Sequence, residues 1–290
     1  MTGATPPRRE QCEACRYDVP DGADPTSASL APGAHVDDQH LALGTVAWVQ
    51  QTSGWLTPAE RRSLLLPLLR THVRIGLGRL AMVTRLNHGR HAFIPTARLA
   101  PPSSVLTRTA EERARAMLAP VLINHSYRTY MFGRALAVLD DIDVDDELLF
   151  AASMLHDTGL VNPTGDADFT LASARVAREV AEQVGLSGAA STTMQNAITL
   201  HHSPGVSLTS GAVAYLLSAG AALDVVGLRS WDLPTTTLSA AVTAHPRENF
   251  KQVFGAAFAQ EAARVPHGRT RFLHRYGAFG AAVRLSPFDS

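Results

Sequence analysis

Histidine and aspartate side chains stand in otherwise apolar surroundings in three separated parts of the sequence. They are His125, the adjacent pair His156 and Asp157, and Asp224. Neutral imidazole and carboxylate groups are common ligands of zinc and related divalent ions. Two carboxylates would also balance the charge of one divalent cation. These residue types predict a metal site, provided that the elements carrying them turn the four side chains toward one another.

His125 lies in a segment with helical apolar spacing. It shares one helical face with Arg128, Phe132 and Leu136, at offsets of three, seven and eleven residues. The side chain of His125 is therefore expected to point into the protein. A single inward histidine is usually a hydrogen-bonded core residue, so this position alone does not establish a site.

His156 and Asp157 follow an apolar run that has helix signals at both ends. The carboxylates at residues 145–147 suit a helix N-terminus, and Gly159 is placed to end the helix. A buried carboxylate without a partner at this helix end would cost several kcal/mol. A divalent cation would compensate that cost, whereas a His-Asp pair at the end of a surface helix would need none.

Asp224 is the single acidic residue in the apolar segment 211–226. It lines up with Leu217 and Ala221 on one helical face, where a free negative charge is unfavourable. The sequence therefore predicts that Asp224 meets a cation. Together with the two earlier segments, this predicts three inward-facing helices around one metal site formed by two imidazoles and two carboxylates.

The elements that carry these residues are expected to be helices, because turn residues separate segments of helical spacing and β-strand alternation is scarce. The predicted fold class is all-α. The candidate helices lie near residues 110–118, 121–139, 146–157, 170–185, 190–202, 211–226 and 248–264.

The chain is expected to have three parts. Residues 1–40 contain almost no large apolar side chains and are predicted to be a disordered tail. Residues 41–100 are predicted to form an N-terminal helical segment that packs on the main domain. Residues 101–290 are predicted to form the metal-binding helical domain.

The N-terminal helical segment has one clear helix start. Thr57 is a good N-cap and Glu60 completes a capping box. The helical spacing of residues 68–82 is interrupted by Gly76 and Gly78, which predicts a break there.

The composition excludes several classes of partner. The 290 residues include 26 basic and 26 acidic side chains, so the neutral chain has no long-range attraction for nucleic acid or a membrane. A small-molecule substrate is expected, and association into a homo-oligomer stays open. The two cysteines, Cys12 and Cys15, cannot form a disulfide framework, which favours a cytoplasmic location. They are either two thiols in the tail, half a zinc knuckle or a redox pair.

Several short motifs extend the His … His-Asp … Asp order. They are Asn124-His125-Ser126, Arg128-Thr129-Tyr130, Phe132-Gly133, residues 155–160 (Leu-His-Asp-Thr-Gly-Leu), Ala197-Ile198, Leu200-His201, residues 220–225, Pro246-Arg247 and Phe250-Lys251. Together these motifs resemble those of the cyanamide hydratase branch of the HD-domain metalloenzyme superfamily. The resemblance covers roughly residues 95–270 and implies an HD-domain helical bundle.

The resemblance also implies a ligand set. The ligands would be His125, His156, Asp157 and Asp224, and they would hold one divalent ion. Zinc is the metal of the cyanamide hydratases in this family, with iron, manganese or nickel as alternatives. Relatives often carry Phe-Glu after the His-Asp motif, whereas here Phe169 is followed by Thr170, which leaves that glutamate without a counterpart.

Further residues are candidates for the pocket around the metal. His201 by the resemblance, or else His202, is expected to face the pocket as a proton shuttle or substrate ligand, because histidine titrates near neutrality. The alternative is a pair of exposed helix-end histidines. Thr158 is a second candidate for proton relay, and Phe169 for contact with substrate.

The predicted reaction is the hydration or hydrolysis of a cyanamide- or nitrile-like molecule by water that the metal activates. Two alternatives stay open. One is a phosphohydrolase of nucleotides or phosphate esters, for which Arg128 is either a phosphate ligand or a structural partner of an acidic residue. Leu160 stands where some phosphohydrolases carry lysine, and the chain has one lysine overall, which favours a small neutral substrate. The other alternative is a non-enzymatic, metal-stabilised interaction module.

Overall fold

The computed structural model describes residues 41–289. This part of the chain consists of α-helices, short 3-10 turns and connecting loops, without a β-strand, which confirms the predicted all-α class. No helix within it is both long and apolar enough to cross a membrane. The α-helices are α1 (Val46–Thr52), α2 (Pro58–Val83), α3 (Val105–Met117), α4 (Pro120–Leu139), α5 (Asp146–Leu155), α6 (Thr158–Val161), α7 (Phe169–Gln183), α8 (Gly188–Leu200), α9 (Ala212–Val226), α10 (Thr235–Ala244), α11 (Phe250–Arg264), α12 (Arg269–Tyr276) and α13 (Phe279–Arg284).

Helix starts follow the predicted capping signals. The Thr57 side chain accepts a hydrogen bond from the backbone of Glu60, and the Glu60 carboxylate accepts one from the backbone of Thr57, which confirms the capping box of α2. The Asp145 side chain caps α5 by accepting from the backbone amides of Glu147 and Leu148.

The predicted break in the N-terminal helical segment is wrong. Helix α2 runs without interruption through Gly76 and Gly78. A Cβ atom at Gly78 would overlap the ring of Trp231, so this glycine allows close packing rather than a turn. Trp48 and Val49 of α1 and Leu64 and Leu68 of α2 are buried in one cluster with residues of the main body, Leu171 and Phe272. The predicted tail, with Cys12 and Cys15, lies outside the described residues.

Two glycines bring α4 and α9 together at the centre of the protein. A Cβ atom at Gly220 of α9 would overlap the carbonyl oxygen of Thr129 in α4. Gly133 of α4 lies in the same way against the carbonyl oxygen of Leu216 in α9. Because the backbones approach so closely, the short side chain of Asp224 in α9 can contact side chains of α4.

The helix predicted for residues 146–157 ends two residues earlier than expected. Helix α5 ends at Leu155, and Asp157 precedes the short helix α6, within which Gly159 lies. A Cβ atom at Gly159 would overlap the carbonyl oxygen of Phe169. Gly159 therefore lets α7 approach the His-Asp turn, which brings Phe169 next to the site.

Candidate metal centre

His125, His156 and Asp157 form a compact buried cluster. His125 projects from α4, and His156 and Asp157 form the turn between α5 and α6. Each of the three is at most 1% exposed. One potential ligand atom from each residue lies within 4.8 Å of the other two. The structure therefore brings together three of the four predicted ligands.

The spacing of these atoms suits a tetrahedral ion. Nε2 of His125 lies 3.3 Å from Nε2 of His156 and 3.5 Å from Oδ2 of Asp157. Nε2 of His156 lies 3.2 Å from the same oxygen. Ligands at zinc distances of about 2.0–2.1 Å on a tetrahedron are separated by about 3.3 Å. In addition, Oδ2 of Asp157 is buried and has no hydrogen-bond partner within the described part of the chain. A divalent cation fits this donor set.

The opposite ring nitrogens hold the histidines in this orientation. Nδ1 of His156 lies 2.7 Å from the carbonyl oxygen of Ser153, and Nδ1 of His201 lies 2.7 Å from that of Ile198. Because a carbonyl oxygen only accepts, each Nδ1 carries the hydrogen and each Nε2 is left with a lone pair. Metal-binding histidines in proteins are usually fixed by such outer contacts.

Asp157 is held in its ionised form. Burial by itself would raise the pKa of this carboxyl group, but the adjacent ring of His156, together with His125 and His201, holds it well below its usual range. Burial lowers the pKa of His201 well below its usual value and also lowers that of His125. Burial would also lower the pKa of His156, but its contacts with Asp157 outweigh this effect and raise it. These groups bind a metal with the carboxylate ionised and the imidazoles neutral, so a metal ion would compete with a proton for His156.

Asp224 lies behind His125 rather than in the cluster of three. Its Oδ2 accepts a hydrogen bond from Nδ1 of His125 at 2.7 Å. Both of its oxygens also accept from Arg128, at 2.8 Å each, and Oδ1 accepts from Arg247. Two buried arginines thus meet the charge of Asp224, so this charge by itself does not require a metal ion, and the role of Asp224 as a fourth ligand stays a prediction. Burial would raise the pKa of Asp224, but Arg128 and His125 hold it well below its usual range.

Two other predicted site residues do not reach the space beside the cluster. Arg128 is fully buried, and its remaining donors bind the carbonyl oxygens of His245 and Pro246. Of the two roles predicted for Arg128, phosphate ligand or structural partner of an acidic side chain, the structure shows the second, a pair with Asp224. The Thr158 hydroxyl is fully buried and donates to the carbonyl oxygen of Leu155. In this position Thr158 supports the turn between α5 and α6.

Sequence reasoning assigned no role to Arg247 and Phe250. The Phe250 ring stacks on His125 with the ring centroids 4.8 Å apart. The Arg247 guanidinium packs over the same Phe250 ring, 4.7 Å from the ring centroid. Both residues occur in motifs that carried the family resemblance. Helical spacing could not reveal their position, because Arg247 lies in the loop between α10 and α11.

A cavity of about 250 Å³ opens beside the cluster. His125, His156 and Asp157 line one end of it, together with Phe169 and the neighbouring pair His201 and His202. The two histidines of the pair reach the same cavity because α8 ends at Leu200 and the chain turns there.

His201 and His202 differ in their contacts. Nε2 of His201 lies 3.7 Å from Oδ1 of Asp157. The His202 side chain is 7% exposed, and neither of its ring nitrogens has a hydrogen-bond partner within residues 41–289. Burial, together with Arg269 nearby, lowers the pKa of His202 to about 4. Nε2 of His202 lies 3.6 Å from Oδ2 of Asp168. A neutral His202 therefore has one donor and one acceptor that are free to bind a molecule in the cavity or to turn toward Asp168.

A buried ion pair fixes the turn that carries these histidines. Arg269 is fully buried and donates to Asp168, to Ser203 and to the carbonyl oxygen of Thr199. Asp168 also caps α7, which starts with Phe169. One arginine thus connects the start of α7 with the turn after α8.

Comparison with known proteins finds a family model that matches the part of the chain carrying this site. Residues 122–227 match the family model described as HD domain. No curated protein matches the chain significantly. Members of the HD domain family are mostly metal-dependent hydrolases, and the cluster of His125, His156 and Asp157 provides ligands for a metal. These observations support a metal-dependent, hydrolase-type enzyme. The matched residues 122–227 include every residue of the cluster and Asp224, so this part of the chain is similar to HD domains.

Proposed function

We propose that the protein hydrates or hydrolyses a small, uncharged molecule with an electrophilic carbon, with a nitrile or cyanamide as the reacting group. The observation that carries this proposal is the set of three ligand atoms, 3.2–3.5 Å apart, at the end of a largely apolar cavity. His125, His156 and Asp157 would hold one divalent ion, with zinc as the expected metal. Asp224 would keep His125 in place rather than bind the ion itself.

A bound ion of this kind lowers the pKa of water toward neutrality and stabilises negative charge that develops on the substrate. The chain's own residues would move the protons. Nε2 of His201 has a free lone pair near Asp157, so it can accept a proton from water as the water oxygen bonds to the nitrile carbon. The same nitrogen can return that proton to the nitrile nitrogen, which gives an imidic acid, R–C(OH)=NH. Transfer of the remaining hydroxyl proton to the same nitrogen atom then gives the amide, or urea from cyanamide.

His202 and Phe169 would orient the substrate. The two unpartnered nitrogens of His202 can hydrogen-bond to the nitrogen or the developing oxygen of the reacting group. The Phe169 ring lies beside both histidines, with centroids 5.8 Å from His201 and 5.1 Å from His202. It would exclude bulk water from one side of the site.

The charges around the cluster favour a neutral substrate over a phosphate ester. Arg128 and Arg247 are committed to Asp224. Arg229 and Arg74 also line the cavity, but Arg229 is paired with Asp140 and Asp232, and Arg74 is exposed on α2. Phosphoryl transfer usually needs cationic side chains that hold the phosphate oxygens. Among the described residues that line the cavity, Arg74 is the arginine without an ion pair, and it lies exposed on α2 rather than among the three metal ligands.

Turnover assays with metal-loaded protein test this proposal. The panel consists of cyanamide, small nitriles, nucleotides and phosphate monoesters. We expect urea or amide formation, and a loss of at least about 10³-fold in Asp157→Ala, because this variant removes a ligand. Asp143→Ala, which changes an exposed aspartate, should retain the rate. Phosphate release without any nitrile turnover would contradict the proposal in favour of a phosphohydrolase, and tight metal binding without turnover would favour an interaction module.

A further inference from the structure

The cavity beside the cluster is larger than the reacting group requires. Its volume is about 250 Å³. A water molecule occupies about 30 Å³ in the liquid, so a cavity of this size holds roughly eight non-hydrogen atoms. Cyanamide has three. Most of the cavity would therefore stay unfilled with cyanamide bound.

The lining of the cavity combines two kinds of chemistry. The cluster contributes histidines and a carboxylate, and most of the other lining residues are apolar, with a few polar ones such as His72 and Arg74 of α2 and Arg229. The apolar part of the lining includes Leu68 and Ile75 of α2, Ala222 and Val226 of α9, and Phe258 of α11.

One face of α9 shows why the space exists. Tyr215, Ser218, Ala222 and Val226 follow one another at offsets of three, four and four residues, so they share a helical face. All four line the cavity and are only half-buried, whereas Leu216, Leu217 and Leu223 of the same helix are fully buried. Small side chains at positions 218 and 222 therefore leave room beside this face of α9.

We propose that the substrate carries an apolar arm, an alkyl chain or a ring of about five or six carbon atoms, that packs against the apolar part of the lining. The nature of the reacting group depends on the proposed function, whereas the arm depends only on the shape and lining of the cavity. Arg229 is neutralised by Asp140 and Asp232, and the other arginine of the lining, Arg74, is exposed on α2, so most of the lining offers no charge to a polar arm. An apolar arm would instead gain from leaving water.

Binding and turnover across a homologous series test this proposal. The ligands are acetamide, butanamide and hexanamide, measured by calorimetry with metal-free and with metal-loaded protein. The substrates are cyanamide and the nitriles of the same chain lengths. Affinity and kcat/KM should each rise about fourfold per added methylene up to hexyl length.

Two variants and a control locate the arm. Ala222→Phe should remove the dependence on chain length, because the new ring occupies the space beside the apolar part of the lining. Ser218→Leu fills the same space with a smaller change and serves as a second variant if Ala222→Phe folds poorly. Ala189→Phe makes the same substitution at an exposed position of α8 and should leave the dependence unchanged. Circular dichroism and metal content verify that each variant is folded and loaded.

The outcomes separate this proposal from the proposed function. If hexanamide binds more tightly than acetamide in the wild type but not in Ala222→Phe, the apolar arm is supported even when no nitrile is turned over. If cyanamide or acetonitrile is hydrated but chain length changes neither affinity nor kcat/KM, the arm is wrong while the proposed function stands. A dependence on chain length that survives in both Ala222→Phe and Ser218→Leu would also overturn the proposal.

Discussion

Nδ1 of His125 lies 2.7 Å from Oδ2 of Asp224, and the same oxygen accepts a hydrogen bond from Nη2 of Arg128 at 2.8 Å. This contact fixes the ring of His125 so that its other nitrogen faces His156 and Asp157. The carboxylate therefore acts on the cluster through the histidine, while two arginines balance its charge.

The role of Asp224 predicts a strong effect of Asp224→Asn. The substitution keeps the size of the side chain but leaves Arg128 and Arg247 buried without a negative partner. We expect the free energy of unfolding to fall by about 3–5 kcal/mol. Metal affinity should fall about 10- to 100-fold, because His125 loses its charged outer partner. Urea unfolding and metal titration measure the two effects. Asp143→Asn, at an exposed position, is the control, and an effect of equal size there would refute the assignment.

Removal of a ligand should lower metal occupancy selectively. His125→Ala leaves two of the three close ligands, so purified protein should contain clearly less than one metal per chain. His88→Ala changes an exposed histidine on a 3-10 turn away from the cavity, and it should retain full occupancy. Elemental analysis of protein purified without chelator measures both. Equal occupancy in the two variants would place the ion elsewhere.

The close contact between α4 and α9 predicts a glycine effect. Gly220→Ala places a methyl group against the carbonyl oxygen of Thr129, so the helices must separate. We expect a loss of about 1–3 kcal/mol or more in the free energy of unfolding. Gly255→Ala in α11, where no atom lies within 4 Å of the added carbon, should be neutral or stabilising by up to about 1 kcal/mol. Thermal and urea unfolding of both variants test the comparison.

From the buried pair of Asp168 and Arg269 we expect the free energy of unfolding to fall in acid. Burial would raise the pKa of Asp168, but Arg269 and His202 lower it from 3.8 to about 2. Because the pKa of Asp168 is lower in the folded protein than in the unfolded chain, the ionised carboxylate stabilises the fold. This stabilisation is complete at pH values above the unfolded pKa near 4. The contribution, about 2 kcal/mol, is lost as the pH falls from about 4 to about 2.

Unfolding experiments at pH 7, 5, 4 and 3 test this assignment with wild type and Asp168→Asn. The difference in unfolding free energy between the two proteins should be constant above pH 5 and should shrink below pH 4. A difference that stays the same at pH 3 would show that the charge of Asp168 makes no such contribution.

The helices that carry the site could be predicted from the sequence because their apolar spacing is local. Observed α4 and α9 begin and end within about two residues of the prediction, and Asp145 caps α5 as an acidic helix start should. The break at Gly78 was wrong because the reason for that glycine lies in Trp231, which is distant in sequence.

The partners of Asp224 and the cavity could not be predicted in the same way. Arg128 shares the helical face of His125, so its position was visible, but Arg247 reaches Asp224 from a loop whose path no periodic pattern reveals. The cavity exists because several helices do not pack against one another there, and this is a property of the tertiary structure. The half-buried positions Ser218 and Ala222 have the same residue types as packed helix positions, so the sequence does not distinguish them.

Anomalous diffraction at the zinc absorption edge, from crystals of the zinc-loaded protein, tests the metal centre most directly. The account predicts one strong peak per chain, about 2.0–2.2 Å from Nε2 of His125, Nε2 of His156 and a carboxylate oxygen of Asp157. Asp224 should still accept hydrogen bonds from His125 and the two arginines. The absence of a peak between these three side chains, or a peak bound to other residues, would contradict the account.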